Sequence, residues 1–436
     1  MASPYKIAIL GLWHLGEIYS AGLADLGHMV VGISEDNALI DNFKKALPPL
    51  PEPELQELIQ KNFSAGRLSF STNFEEIKNC NVLWFTFDTP VNDADEVDLS
   101  PIWQNLEKSL PFISEATLIV MTSQIPIGTS KKMCEFIKTK RPDLNFDYAY
   151  TPENLRLGEA VKCFFNPTRI IIGTDSMSAS QKLKDIFSGL KAEFLEMSPA
   201  SAEMSKHAIN SFLATSVSFI NDIADACEKT GADVLSVSRA LRSEPRIGPK
   251  AFLDAGLGFS GATLGRDLKI LMSLASEGDL DLPIIKNVFS KNESRKDLAI
   301  SKIKSCLNSI TDKTVGIFGL TYKVGTKTLR RSRSMEVAKE LKELGAILKL
   351  HDPEADISEV STYGQFDFSM DPYKTVEGAD ALIFITPWPS FKNLDLSKLS
   401  TLAKPGALFF DTNNFFWDKE DEIKKVGFIY LGTGRN

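Results

Sequence analysis

Histidine is scarce in this chain, four among 436 residues, and no two are spaced like zinc ligands. A metal centre is not expected. The five cysteines are Cys80, Cys134, Cys163, Cys227 and Cys306. They are odd in number, widely separated and free of any Cys-x-x-Cys pair, which argues against a secreted disulfide framework and for reduced thiols in the cytoplasm. Basic residues do not dominate either. The formal net charge is −8, so a nucleic-acid backbone is not the expected main partner. A few local Lys and Arg side chains still suffice for a small phosphorylated ligand. No run approaches the roughly 20 apolar residues of a membrane span, and no membrane association is expected. The opening Met-Ala-Ser-Pro-Tyr lacks the basic and apolar regions of a secretory leader.

What is present is an ordinary globular composition, 43% hydrophobic and 24% charged. At roughly 100–200 residues per domain, this length divides into two or three domains. Residues 6–11 read as a buried strand closed by a glycine. A helix follows to about Leu26, then Gly27, then a strand over Met29–Ile33. Strand, glycine turn, helix and strand make a βαβ unit. Further strands are predicted at 82–87, 117–121 and 169–173, with helical patterns between them. That alternation predicts a parallel sheet covered by helices on both faces.

The texture changes over about 198–304. Apolar residues recur at helical spacing through Ala208, Ile209, Phe212, Leu213, Val217, Ile220 and Ile223. A long amphipathic helix of this kind serves as a domain connector, a dimer surface or a plain core helix. Alternation returns after Lys313, with strands predicted at 314–319, 347–351, 381–386 and 407–411. The expected fold class is α/β, two Rossmann-like parallel-sheet domains joined by a long helical central domain. The expected domains are 1–197, 198–305 and 312–436.

Gly11-Leu-Trp-His-Leu-Gly16 stands where a dinucleotide fingerprint belongs. In the pattern GxGxxG the first glycine makes the turn, the second admits the pyrophosphate and the third lets helix pack on strand. Here Trp13 takes the second place, and its indole crowds the phosphates unless it turns away. The acidic residue that holds an adenosine ribose should end the second strand. Ser34 stands there, with Glu35 and Asp36 next. The alternative is a strand–turn–helix that no longer holds a dinucleotide tightly.

Other motifs follow in order. Thr89-Pro90 and Asp98-Leu-Ser100 come after one strand, and Ser123-Gln-Ile-Pro-Ile-Gly-Thr129 after the next. Pro152-Glu-Asn-Leu-Arg-Leu-Gly158 and Asn166-Pro-Thr-Arg-Ile-Ile-Ile-Gly173 come next. The long helix carries Glu203, Lys206 and Asn210, then Ser218-Phe-Ile-Asn221. Beyond it lie Pro245-Arg-Ile-Gly-Pro249, Gly256-Leu-Gly-Phe-Ser-Gly261 and Arg266-Asp267. The last part has Gly319-Leu-Thr-Tyr-Lys323, Thr326, Arg330, Asp352-Pro353 and Trp388-Pro389. In order and spacing, over nearly the whole chain, this resembles the UDP-glucose/GDP-mannose dehydrogenase family.

The resemblance implies oxidation of a nucleotide-sugar alcohol to an acid in two hydride transfers to NAD, with a cysteine thiolate capturing the aldehyde between them. It implies an N-terminal NAD domain, with Gly11, Trp13, Leu15, Gly16, Ser34, Glu35, Thr89 and Ser123 about the cofactor. Lys206 and Asn210 would stabilise an alkoxide or oxyanion, Asp267 would orient water or the lysine, and Glu153 would position the acyl centre. Arg246, Phe259, Gly261, Lys323 and Arg330 would contact sugar or phosphate. A UDP-sugar substrate and a homodimer are implied as well.

The departures gather at the reaction centre. Thr263 takes the cysteine position, and none of the five cysteines aligns with it. A threonine hydroxyl supplies almost no alkoxide at neutral pH without a dedicated base. Gln124, Leu157, Lys327, Thr328 and Asn413 also differ from the family pattern. Three readings remain: an NAD-linked nucleotide-sugar oxidoreductase with altered chemistry, including a redox-neutral epimerase; a non-redox nucleotide-sugar-binding protein; and an ordinary dehydrogenase with Thr263 as nucleophile.

Overall fold

The computed structural model describes residues 4–90, 97–153, 155–261 and 263–435. Asn154 and Ala262 of the motifs above lie outside them. The chain divides into two compact units, Met1–Ala208 and Ile209–Asn436.

The first unit is built on eight strands: β1 (Lys6–Leu10), β2 (Met29–Ile33), β3 (Leu68–Ser71), β4 (Val82–Phe85), β5 (Leu118–Met121), β6 (Asp147–Tyr150), β7 (Arg169–Gly173) and β8 (Glu193–Met197). Their order across the sheet is β3-β2-β1-β4-β5-β6-β7-β8. β4 and β5 are buried at every position, as strands covered on both faces must be. Side chains alternate between faces. Ile7, Ile9, Trp84 and Val120 enter one core, and Ala8, Leu10, Leu83, Phe85 and Ile119 the other.

The first six strands run parallel, but β7 meets β6 antiparallel through the single pair Tyr150↔Gly173. The strand expected at 169–173 therefore forms, while the parallel pairing expected of it gives way at that junction. Gly173 is needed there, because a Cβ on it would lie 2.4 Å from Ala202 Cβ on the helix Pro199–Thr230. β3, β6 and β8 were not predicted; they are short and carry polar residues.

The second unit has β9 (Thr314–Phe318), β10 (Ile347–His351), β11 (Asp367–Phe368), β12 (Ala381–Phe384), β13 (Leu408–Asp411) and β14 (Ile429–Gly432). Their order is β11-β10-β9-β12-β13-β14, and every pair is parallel. Phe318, Phe384 and Phe409 stack across three neighbouring strands at centroid spacings of 4.5 and 4.6 Å. Before this sheet come the helices Val234–Ser243, Thr263–Glu277 and Pro283–Leu307.

The long helix spans Pro199–Thr230, 32 residues, or about 48 Å at 1.5 Å per residue. It starts well before the apolar periodicity, because Glu203, Lys206 and His207 are buried polar residues. No helix among the described residues is long and apolar enough to cross a membrane.

The expected strands at 82–87 and 381–386 each end two residues early, and the residues that leave serve the glycine turns. Thr86 Oγ1 donates to the carbonyls of Leu10 and Gly11. Thr386 Oγ1 donates to the carbonyl of Thr321 in the second unit. The two units thus solve the same turn problem in the same way.

Candidate active site

The glycine loop of the first unit leaves β1 at Gly11, whose φ is +94°. A Cβ there would sit 2.7 Å from Phe87 N. A Cβ on Gly16 would sit 2.2 Å from the Gly11 carbonyl oxygen. Both glycines are therefore required by close backbone approach. Trp13 is different. Its backbone is extended, φ −117° and ψ −152°, which any residue adopts, and its indole is 47% exposed. Trp13 is also the cap of the helix His14–Asp25, and it makes no side-chain hydrogen bond to that helix. The first-turn N–H groups are left to face an anion. Leu15 is buried behind them.

The end of β2 is arranged less conventionally. Ser34 is half-buried, and its Oγ accepts from Asp36 N. Asp36 caps the helix Asn37–Lys44 by accepting from Ala38 N and Leu39 N, so it is committed locally. Glu35 is exposed and ion-paired with Lys108. Thr89 Oγ1 donates to the Gln124 carbonyl at 2.8 Å, which ties the loop after β4 to the loop after β5. Ser123 lies in that second loop, and its buried Oγ has no hydrogen-bond partner. The residues present fit a dinucleotide: a glycine cradle with no room for Cβ atoms, an uncapped helix start, and an unpartnered buried hydroxyl.

Lys206 projects from the long helix and is 8% exposed. Its Nζ donates to the Glu153 carbonyl at 2.6 Å and lies 3.3 Å from Glu153 Oε1. Glu153 Oε2 accepts from Leu155 N, which fixes the carboxylate. On the same helix Glu203 is fully buried and takes Gly128 N at 2.6 Å and Ser130 N at 2.8 Å. It thereby holds the start of the helix Thr129–Lys140. His207 packs against the Ile125 carbonyl at 3.0 Å. The motif had marked Glu203 without a role; the helix-start contact supplies one.

In the second unit Asn210 Nδ2 donates to Asp267 Oδ2, and Asp267 is fully buried. Thr263 is the exposed first residue of the helix Thr263–Glu277. The loop before it docks on the turn after β9. Gly261 has φ +79°, its N donates to the Arg331 carbonyl at 3.1 Å, and a Cβ on it would meet the Tyr322 ring at 2.7 Å. Ser260 Oγ donates to the Tyr322 carbonyl. Phe259 N donates to Asn292 Oδ1. Lys323 is exposed, with its Nζ 5.7 Å above the Tyr322 ring. Arg330 is exposed on the same turn.

Buried Asp352 organises that turn. Its Oδ2 accepts from Leu320 N, Thr321 N and Trp388 Nε1. An acid at the end of the second strand of a Rossmann unit is often a ribose ligand; this one is consumed by the loop itself. Arg246 lies in the stretch after the helix Val234–Ser243. Its side chain is exposed and paired with Glu244 at 2.8 Å.

The class follows from the parts: a dinucleotide-type glycine loop on one parallel sheet, a second Rossmann-like sheet with a basic turn, and a buried lysine on the helix between. The comparisons with known proteins agree. The NAD binding domain of the UDP-glucose/GDP-mannose dehydrogenase family matches residues 5–191, its central domain 200–294 and its UDP binding domain 316–418. UDP-glucose 6-dehydrogenase TuaD of Bacillus subtilis is 31% identical over 99% of this chain and 93% of its own length. A UDP-glucose 6-dehydrogenase of Rickettsia bellii is 32% identical, over 98% of this chain and 99% of its own. A UDP-glucose dehydrogenase structure from Pyrobaculum islandicum superposes with a TM-score of 0.89 at 28% identity, covering 100% of this chain and 99% of that one.

The chain belongs to the UDP-glucose/GDP-mannose dehydrogenase family. It is an NAD-dependent oxidoreductase of the nucleotide-sugar dehydrogenase type.

Proposed function

We propose that the protein oxidises a primary alcohol of a UDP-linked sugar to the aldehyde: alcohol plus NAD gives aldehyde, NADH and a proton. The observation that carries this reading is the buried Lys206 ammonium, held between the carbonyl and the carboxylate of Glu153. NAD, when bound, supplies the two-electron acceptor. A carboxylate and a carbonyl hold Lys206 in place, and its ammonium stabilises the alkoxide oxygen electrostatically. Asn210, one helical turn further on, adds an amide donor, and Asp267 holds that amide in one orientation. Glu153 positions Lys206. Gly11, Leu15, Gly16, Thr89 and Ser123 line the dinucleotide side, with Ser34 or Glu35 toward the ribose and the Trp13 indole turned outward. Phe259, Gly261, Lys323 and Arg330 receive sugar and diphosphate, with Arg246 as a further contact.

Thr263 is not assigned as a nucleophile. It is exposed at a helix start, and Asp267, one turn on, already accepts from Asn210. A hydroxyl needs an adjacent free base to attack a carbonyl. The second oxidation therefore has no covalent route through Thr263, so an acid could form only through the aldehyde hydrate, and the single-step reading predicts one NADH per sugar. The test is to count NADH against sugar consumed and to identify the product by mass. One equivalent with an aldehyde supports the reading. Two equivalents with an acid overturn its single-step part, and no NADH with any UDP-sugar overturns the whole.

The domains are proposed at 1–197, 198–305 and 312–436. A homodimer is proposed on the support of Phe212 and Phe219, seven residues apart on one face of the long helix and 71% and 47% exposed. The cytoplasm is the proposed location, in keeping with five free cysteines.

A further inference from the structure

A buried acid sits one residue past the glycine loop, and no step above uses it. Glu17 lies in the first turn of the helix His14–Asp25. It is fully buried, and neither of its carboxyl oxygens has a hydrogen-bond partner. The neighbouring Glu52 is just as enclosed but fully engaged. Its Oε1 takes His14 Nε2 at 2.9 Å and Gly158 N at 2.7 Å, and its Oε2 takes Ala160 N at 3.2 Å. One carboxylate thus ties His14, inside the glycine loop, to Gly158 at the end of the segment 152–158 and to Ala160 just beyond it. That segment carries Glu153, the partner of Lys206.

The charged groups that face Glu17 are Glu52, from the stretch before the helix Leu55–Ser64, and Asp88, from the loop after β4. His14, one turn back on its own helix, is directed to Glu52. The Leu50 backbone amide acts on the carboxyl in the opposite sense and favours its charge. Two neighbouring carboxylates cannot both stay charged in a buried space unless each is paired. Glu52 has three donors within hydrogen-bond reach and Glu17 has none, so Glu17 is the acid held neutral. Burial, above all, pushes Glu17 up to about 9, with Glu52 and Asp88 adding to the Leu50-opposed rise.

We propose that Glu17 is a proton-linked positioning residue: as a neutral acid it lets Glu52 brace the glycine loop against the Glu153 segment, and as an anion it breaks that brace and repels the dinucleotide. The repulsion has a direct part, because the pyrophosphate is received at this helix start. The proposal rests on the NAD reading and is independent of which sugar is oxidised.

The test is calorimetric titration of the full-length protein with NAD from about pH 7 to about pH 10. With a group near 9 that must be neutral for binding, affinity falls about tenfold by about pH 10. Glu17→Gln and Glu17→Met, both neutral and of similar size, lose that alkaline limb. Repeating the wild-type titration near pH 9 in buffers of different ionisation enthalpy reads the proton itself, with about half a proton taken up per NAD. A wild-type protein with no proton uptake and no alkaline limb overturns the proposal, as does a folded Glu17→Gln protein that keeps the limb. Failure to bind NAD even at about pH 7 instead overturns the cofactor reading on which the proposal stands.

Discussion

Replacing Gly16 by alanine should damage cofactor binding far more than it damages the rest of the molecule. The added Cβ would lie 2.2 Å from the Gly11 carbonyl oxygen, and 2.9 Å from both Gly11 C and Thr86 Oγ1. Ordinary contact lies at about 3.5 Å, so the helix start must retreat from the loop by on the order of 1 Å. The nearest atoms are backbone, which cannot rotate out of the way. Overpacking of this kind costs about 1–3 kcal/mol. The retreat also carries the first-turn N–H groups away from the pyrophosphate. A hydrogen bond to a charged group is worth about 1.5–3 kcal/mol, so losing one lowers NAD affinity by about tenfold to a hundredfold. The assay is NAD titration of Gly16→Ala beside a urea unfolding curve. Gly265→Ala is the reference for the alanine itself. Gly265 has open space at its Cβ position and is not among the positive-φ residues, so alanine in that helix should stabilise by about 0.5–1 kcal/mol. Gly16→Ala with NAD affinity within about threefold of wild type (about 0.65 kcal/mol) and an unchanged urea midpoint would refute the reasoning.

Lys206→Ala should lower kcat by about a hundredfold to a thousandfold, the usual loss for one preorganised donor to a developing oxyanion. NAD affinity should hold, since Lys206 contacts Glu153 rather than the glycine loop; steady-state rates beside NAD titration separate the two effects. Phe212→Asp should convert a dimer to a monomer in light scattering, because it places a charge in the middle of the exposed apolar face of the long helix.

Much of the fold was legible because its strands are buried. Met29–Ile33, Arg169–Gly173 and Ile347–His351 formed as read, since apolar β-branched runs between glycine turns have few other stable arrangements. The strands that were missed are the short or polar ones. Leu68–Ser71 alternates over only four residues, and Glu193–Met197 has no fully buried position. Their strand character comes from a neighbour's hydrogen bonds, which local pattern does not carry. The apolar stripe by itself marks only the later part of the long helix, from Ala208 on, and the motif residues carry its start. Its first turns bury Glu203 and His207, whose polarity hides the helical stripe until their partners at Gly128 and Ile125 are known.

The sequence by itself determined the α/β class, the two glycine turns, the motif order and the missing cysteine. These depend on residue type and on neighbours close in the chain. Tertiary structure alone decided which charges meet. Lys206 reaches Glu153 across 53 residues and Asn210 reaches Asp267 across 57. Asp352 turns inward to hold its own loop, and Trp13 turns outward. Glu17 reads in the sequence as an ordinary acidic residue in a first helical turn, where an exposed carboxylate is favourable. Folding buries it completely, beside Glu52 and Asp88, and the energy of a charge is set by the solvent and partners that folding leaves it.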